Sequence, residues 1–493
     1  MLHPSLAEAR ALASQGNLCP LYCEVPADLE TPVSAFLKVA RGRYSFLLES
    51  VEGGERLARY SFIGTEPYRT LRSGPGLSGG GIGDPLRAVE AELGRFTAVP
   101  VPGLPRFTGG AVGYLAYEVA RYFEPRVPQS PNDALGLPEA VFLFTDTLLV
   151  FDHLQHKIKV VSHFRLDGDV EAAYRQASWR IEELVGRLET PLARLPYRAA
   201  AGEPAAEAVA SNMTREEHAA IVNKAKEYIV AGDVIQVVLA QRFQRRTNAH
   251  PFDVYRALRT INPSPYMFYL DLGEVQIVGT SPEMLVRVED GKIDYHPIAG
   301  TRRRGADAAE DAALEAELVA DEKERAEHVM LLDLGRNDVG RVSLPGSVEV
   351  PQVMDVERYS HVMHLVSHVT GRLRPDMTPY DALRACFPAG TVSGAPKIRA
   401  MEIIAALERD RRGPYAGAVG YFDLSGNLDT AITIRTILMK DGVAHVQAGG
   451  GIVYDSDPAA EYAETENKAL ALIRAIEQAE AQSAARPVGS LGY

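Results

Sequence analysis

The chain has 493 residues, long enough for two or three domains or one large interwoven body, with 46% hydrophobic and 24% charged residues. That balance excludes a disordered or fibrous chain, and a formal net charge of −13 opposes non-specific binding to nucleic acid or anionic membranes. Three cysteines, Cys19, Cys23 and Cys386, are too few and too scattered for a disulfide framework or a zinc site. They fit a reducing, cytoplasmic compartment.

The N-terminal residues lack an apolar stretch of signal-peptide length, and Ser5 before Leu6-Ala-Glu-Ala-Arg predicts a short helix. No run of 18 apolar residues suggests a membrane span. From residue 18 to about 165 short β-rich runs alternate with turn signals, as in Tyr44-Ser-Phe-Leu-Leu and Val141-Phe-Leu-Phe followed by Leu148-Leu-Val-Phe. The glycine-crowded stretch from Ser73 to Pro85 lacks the strand-then-helix setting and the Lys-Ser/Thr of a phosphate cradle, so a surface loop is expected.

Residues 168–187 read as a helix, and 188–212, rich in Ala, Pro and Glu, as a linker. The expected organisation is an N-terminal sheet-rich unit (1–187), that linker, a second unit (213–480) and a tail (481–493). The second unit opens with a capping box, Thr214 and Glu217, before a helix. Runs at Val234, Met267 and Gln276 predict strands followed by helices. Runs at Ala418, Thr430 and His445, separated by the turns Asp423-Leu-Ser-Gly-Asn and Lys440-Asp-Gly, predict an antiparallel meander. The class is α+β with much antiparallel sheet.

Two acidic helices stand out. One carries Glu324, Glu327 and His328; the other begins at Asp457-Pro458 and sets Glu461, Glu464 and Lys468 along one face. Carboxylates on two helices suit Mg²⁺, which takes hard oxygen ligands and leaves part of its shell to water or an anion. From spacing alone, a solvated charged face explains them more economically. Glycine-bearing turns at 298–302, 388–397 and 447–452 offer backbone amides to an anion, although Gly390 to Lys397 lacks P-loop spacing and has Ile398 where Ser or Thr is required. Arg435 lies within an apolar run, so it needs either a carboxylate partner or an anionic ligand. Tyr415 could lend its hydroxyl to the same ligand or simply pack. Cys386, without nucleophile-elbow glycines around it, reads as a packed core thiol.

Pro297-Ile-Ala-Gly-Thr-Arg, Glu324-Arg-Ala-Glu-His-Val-Met-Leu-Leu-Asp-Leu-Gly-Arg-Asn-Asp, Gly390-Thr-Val-Ser-Gly-Ala-Pro-Lys, Gly449-Gly-Gly-Ile-Val and Glu461-Tyr-Ala-Glu-Thr-Glu-Asn-Lys together resemble the chorismate-utilising enzymes, specifically the anthranilate synthase component I family. The resemblance is strong over residues 213–480 and weaker over 18–160. It implies two large antiparallel sheets packed together and flanked by helices. It further implies that Glu327 and Glu464, with Glu461 nearby, bind Mg²⁺ holding the ring carboxylate of chorismate. Gly449, Gly450 and Gly451 would support that carboxylate, Tyr415 and Arg435 would grip the enolpyruvyl carboxylate, Gly300 and Thr301 would line the ring, and Lys468 would complete the polar wall. Glu283 matches the general acid, and His364 the histidine associated with pyruvate elimination.

Two positions separate siblings. Water-adding relatives carry a lysine where this chain has Gln236, and aminodeoxychorismate synthases carry a nucleophilic lysine where it has Ala299. Ammonia addition at C2 is what remains, with an aminodeoxyisochorismate synthase that stops before pyruvate loss, or an aminodeoxychorismate synthase, as the alternatives. A non-catalytic tryptophan-sensing or scaffold subunit is a further one; it would tolerate loss of the acid and the metal ligands, all of which this chain keeps. The resemblance also implies a separate glutamine amidotransferase subunit in a hetero-oligomer, and a tryptophan feedback site involving Ser50, Pro265, Tyr266 and Met267.

Overall fold

A computed structural model describes residues 1–50, 59–75, 77, 83–192, 208–359 and 362–484. Most of the glycine-rich stretch after Ser73, most of the expected linker and the last nine residues lie outside this set. Local signals set many element ends. Ser5 and Glu8, Thr31 and Ser34, Thr214 and Glu217, and Thr378 and Asp381 each form a reciprocal capping box at a helix start. Each satisfies amides that the first helical turn leaves unpaired.

Among the described residues the strands form two large antiparallel sheets. The first, of twelve strands, runs in the order Leu18–Pro26, Lys157–Arg165, Thr147–Asp152, Tyr60–Thr65, Tyr44–Glu49, Tyr266–Leu272, Gln276–Ser281, Thr436–Lys440, Val443–Ile452, Gln236–Arg246 and Gly394–Ala395, with Ala210–Ser211 on a side branch. The second, of ten, runs Ile298–Arg303, Val362–Arg372, Lys292–Tyr295, Met284–Glu289, Leu428–Ile432, Ala418–Asp423, Gly110–Leu115, Ala140–Thr145 and Arg69–Ser73, with Glu349–Arg358 beside Val362–Arg372. Both sheets draw strands from either side of 188–212, so the two chain segments interleave.

One apolar cluster lies between the sheets, joining Phe46, Phe62, Phe268 and Leu270 of the first to Val112, Tyr114 and Val419 of the second. Two further clusters cover the outer faces. Helices Pro32–Val39, Val170–Glu189, Pro251–Ile261 and Pro458–Ala484 pack on the first sheet. Helices Pro379–Cys386 and Lys397–Leu407 belong to the third cluster, where Cys386 is fully buried. Leaving such apolar groups in water is the alternative, so their burial is the main favourable term for the fold.

Three sequence expectations are corrected. The runs at Met267 and Gln276 form a hairpin with each other and lead into further strands, not helices. The expected three-strand meander is two hairpins: Ala418–Asp423 pairs Leu428–Ile432 in the second sheet, and Thr436–Lys440 pairs Val443–Ile452 in the first. The apolar run from Thr430 to Leu438 therefore crosses between sheets, and Arg435 sits at the crossing, outside either strand, with φ of 51°. A side chain rarely adopts that left-handed conformation, so the surrounding structure holds it there. Asp146 marks a similar change of sheet between Ala140–Thr145 and Thr147–Asp152.

Candidate active site

The crossing at Arg435 opens onto the ends of Val443–Ile452 and Gln236–Arg246, where the glycine triplet lies. Register places Gly449 opposite Ala240, Gly450 opposite Leu239 and Gly451 opposite Val238. The three glycines leave room that other residues occupy. A Cβ on Gly451 would stand 2.0 Å from Gln236 Nε2, one on Gly450 2.8 Å from Glu461 Oε2 and 3.9 Å from Glu464 Oε1, and one on Gly449 2.9 Å from the Tyr415 hydroxyl. The triplet is thus a backbone floor with polar side chains seated against it.

Around that floor the predicted residues form three groups of contacts. Gln236 Nε2 donates to Glu327 Oε1 at 3.2 Å. Lys468 pairs with Glu464 Oε1 at 2.6 Å and donates to the Gly449 carbonyl at 2.8 Å. Arg435 donates to the Lys468 carbonyl at 3.1 Å. The His364 ring donates from Nδ1 to the Gly300 carbonyl at 2.9 Å, and Thr301 Oγ1 lies 3.1 Å from the same nitrogen. Gly300, with φ of 68°, has no Cβ to press on Leu318 and Glu324, which would lie 3.0 and 3.3 Å away.

The electrostatics around the floor are dominated by a cation without an ion-pair partner among the described residues. Among the described residues no carboxylate lies within ion-pair distance of Arg435, and burial pulls its guanidinium below the usual range, opposed by Tyr415 and Glu464. A half-buried cation in that condition gains from an anionic ligand. The buried Tyr415 phenol is pushed up to about 12 by burial, so it stays a donor. Burial and the neighbouring Arg435 hold His364 below its usual pKa, and with Nδ1 committed to Gly300 its other nitrogen is left as a base.

Glu283 lies between the strands Gln276–Ser281 and Met284–Glu289. It is 3% exposed, accepts from Thr391 Oγ1 at 2.7 Å, and is pushed up to about 8 by burial, against the lowering effect of Thr391 and the Ile298 amide. Its own carbonyl accepts from Ile432 N at 3.1 Å, and the Ile298 amide leads directly into Ala299 and Gly300. A carboxyl group still protonated near neutral pH is suited to general-acid work.

Glu327, Glu461 and Glu464 offer the hard carboxylate oxygens that Mg²⁺ takes. Among the described residues no group of three or more His, Cys, Asp or Glu side chains is close enough to enclose a metal. Mg²⁺ commonly takes only one or two carboxylates and completes its shell with water and substrate. Glu461 Oε2 is buried without a hydrogen-bond partner, and burial followed by repulsion from Glu464 holds its carboxyl above the usual range. Both features fit a cation beside Gly450.

Two contacts that the sequence did not give complete the walls. Glu324, raised above its usual range by burial and then by Glu327, stands under Gly300. Thr391, from the 388–397 turn, holds Glu283. His328, by contrast, is a core residue bonded to Ser367 Oγ at 2.6 Å. Glu324 lay in a quoted motif, but its place under Gly300 depends on the fold.

Ser50, Pro265, Tyr266 and Met267 gather elsewhere. They line a separate cavity of about 400 Å³ between the sheets, with Leu48, Glu49, Phe107 and Asp429 among the other walls. Tyr266 donates to Asp429 Oδ1 at 3.1 Å, and burial raises that carboxyl to about 6 despite Arg287 nearby.

This fold and constellation define a chorismate-binding enzyme: residues 43–474 match the family described as chorismate binding enzyme, and the chain belongs to it. Anthranilate synthase component 1 of Acetivibrio thermocellus is 51% identical over 97% of this chain and 99% of its own length. The protein of that name from Pseudomonas aeruginosa is 50% identical over 95% and 98%. The crystal structure of anthranilate synthase component I from Streptococcus pneumoniae is similar with a TM-score of 0.75 and 38% identity, covering 91% of this chain and 98% of that one. The menaquinone-specific isochorismate synthase of Escherichia coli, 20% identical with a TM-score of 0.71 and covering 96% and 98%, shares the fold. No helix among the described residues is long and apolar enough to cross a membrane.

Proposed function

We propose that this chain is the large subunit of an anthranilate synthase, converting chorismate and ammonia to anthranilate, pyruvate and water. The observation that carries the reading is the run of contacts from Glu327 through Gln236, the glycine floor and Lys468 to Arg435, with Tyr415 against Gly449. In this reading two carboxylates take separate places. The ring carboxylate lies over Gly449–Gly451, and the enolpyruvyl carboxylate lies against Arg435 and Tyr415. Glu327 and Glu464, with Glu461 beside them, would hold Mg²⁺, which supplies a hard cation for the ring carboxylate.

In the first step ammonia bonds to C2, the ring double bonds shift, and the C4–O bond breaks. Hydroxide leaves poorly, and Glu283 supplies the proton that makes the leaving group water. In the second step the neutral His364 removes the C2 proton, the C3–O bond breaks, and enolpyruvate departs as the ring becomes aromatic. Gln236 and Ala299 offer neither a base for water nor an amine nucleophile, which favours ammonia as the group that adds.

Ammonia would come from glutamine through a separate amidotransferase subunit in a hetero-oligomer, since the buried Cys386 has its thiol raised by burial and is no nucleophile. The between-sheet cavity, of a volume suited to an amino acid, would bind tryptophan as a feedback inhibitor. Inhibition follows if tryptophan binds one arrangement of the sheets better than the other. The test is to supply the purified chain with chorismate, Mg²⁺ and either ammonium salt or glutamine. Fluorescent anthranilate is expected with ammonium and not with glutamine. Turnover with glutamine alone would remove the need for a partner, and no amination under either condition would refute the reading.

A further inference from the structure

We propose that Arg412 is a positioning residue for this reaction, clamping the substrate-gripping Tyr415, the Thr391 turn and the glycine floor into one mutual geometry. The inference rests on the chorismate reading and extends it to a residue that touches no substrate.

Arg412 is 1% exposed, among the largest fully buried side chains of the protein. A cation at that depth is costly unless every donor is answered, and a single carboxylate would suffice for a mere ion pair. Here Glu408 accepts from Nε at 2.8 Å and from Nη2 at 2.6 Å, while two further donations go to backbone carbonyls: Val392 O at 2.6 Å and Val238 O at 2.8 Å. Each carbonyl lies beside a working group. Val392 follows Thr391, the donor to Glu283. Val238 pairs with Gly451, and Glu408 Oε1 also accepts from the amide of Ala240, which pairs with Gly449.

The guanidinium carbon stands 4.6 Å from the ring centre of Tyr117 and 5.7 Å from that of Tyr415, so the cation lies against both aromatic rings. Thus one planar group sets the turn behind the acid, the strand under the ring carboxylate and the tyrosine at the enolpyruvyl end. A lysine has one compact ammonium and cannot span these directions.

The test compares Arg412→Lys with wild type in ammonium-dependent anthranilate formation. Lysine keeps a charge for Glu408 but loses the fork, so we expect chorismate KM to rise and kcat to fall, each by about tenfold, the scale of a small misplacement of reacting groups. A purely structural role predicts a lower melting temperature with KM and kcat per folded molecule unchanged, and that result overturns the proposal. Should the lysine variant not fold, Tyr117 provides the second reading. Its hydroxyl is buried without a partner, so Tyr117→Phe should match wild type while Tyr117→Leu, which removes the ring beside the cation, should raise KM at least about threefold. Equal KM in the two variants overturns the clamp. A folded wild-type chain that makes no anthranilate refutes the functional reading itself; an active one with indifferent variants refutes only the role of Arg412.

Discussion

Replacing Glu283 by glutamine should abolish the acid and, at neutral pH, make the fold more stable. Its carboxyl is raised by burial from an ordinary 4.5 to about 8. The folded state therefore holds a proton between those values that the unfolded chain releases. The stability it confers is complete below about 4.5 and is lost as pH rises towards 8. At about 1.4 kcal/mol per pH unit, the unfolded chain gains roughly 3 kcal/mol at pH 7 from an ionisation that the folded chain forgoes. Glutamine is neutral throughout and its amide oxygen still accepts from Thr391, so Glu283→Gln escapes that cost. Urea unfolding of both proteins should show the variant stabilised by about 2–3 kcal/mol more at pH 7 than at pH 5. The same variant should lose about 10²- to 10⁴-fold in kcat with ammonium salt, the usual worth of a general acid. A stability difference that is flat between pH 5 and pH 7 would refute the buried, protonated carboxyl on which the acid role depends.

Other perturbations probe the remaining walls. Gly451→Ala puts a methyl group 2.0 Å from Gln236 Nε2; the flexible amide swings away from Glu327, and the Mg²⁺ concentration for half-maximal rate should rise about tenfold, read by metal titration. Arg435→Gln removes a charge-assisted grip of roughly 2–3 kcal/mol, so chorismate KM should rise about 30- to 160-fold in steady-state kinetics. An unchanged KM would place the enolpyruvyl carboxylate elsewhere. Tyr266→Phe removes the hydrogen bond to Asp429 in the between-sheet cavity, and calorimetry should show tryptophan binding weakened about tenfold. Equal affinity would separate that cavity from the inhibitor.

Features carried by local spacing were legible in the sequence. The Thr214–Glu217 capping box and the alignment of Glu461, Glu464 and Lys468 depend on residues three or four apart, and the helix geometry alone brings them together. The crossing at Arg435 was not legible, because the apolar run from Thr430 to Leu438 is continuous and only the left-handed turn at Arg435 diverts it to the other sheet. Nor could spacing join Glu283 to Thr391, 108 residues apart, or show that Arg412 is buried. Nothing in Asp410-Arg-Arg-Gly distinguishes it from a surface arginine. Glu283 and His364 entered as candidates through motif resemblance and Arg435 through the cost of a cation in an apolar run, and the fold supplied their contacts.

The most direct test of the account is the product stoichiometry when the purified chain consumes chorismate in the presence of Mg²⁺ and ammonium salt. Anthranilate and pyruvate should form in equal amounts, each matching the chorismate consumed. An amino acid that keeps its pyruvyl group and its non-aromatic ring, with no free pyruvate, would contradict the second step and the role given to His364.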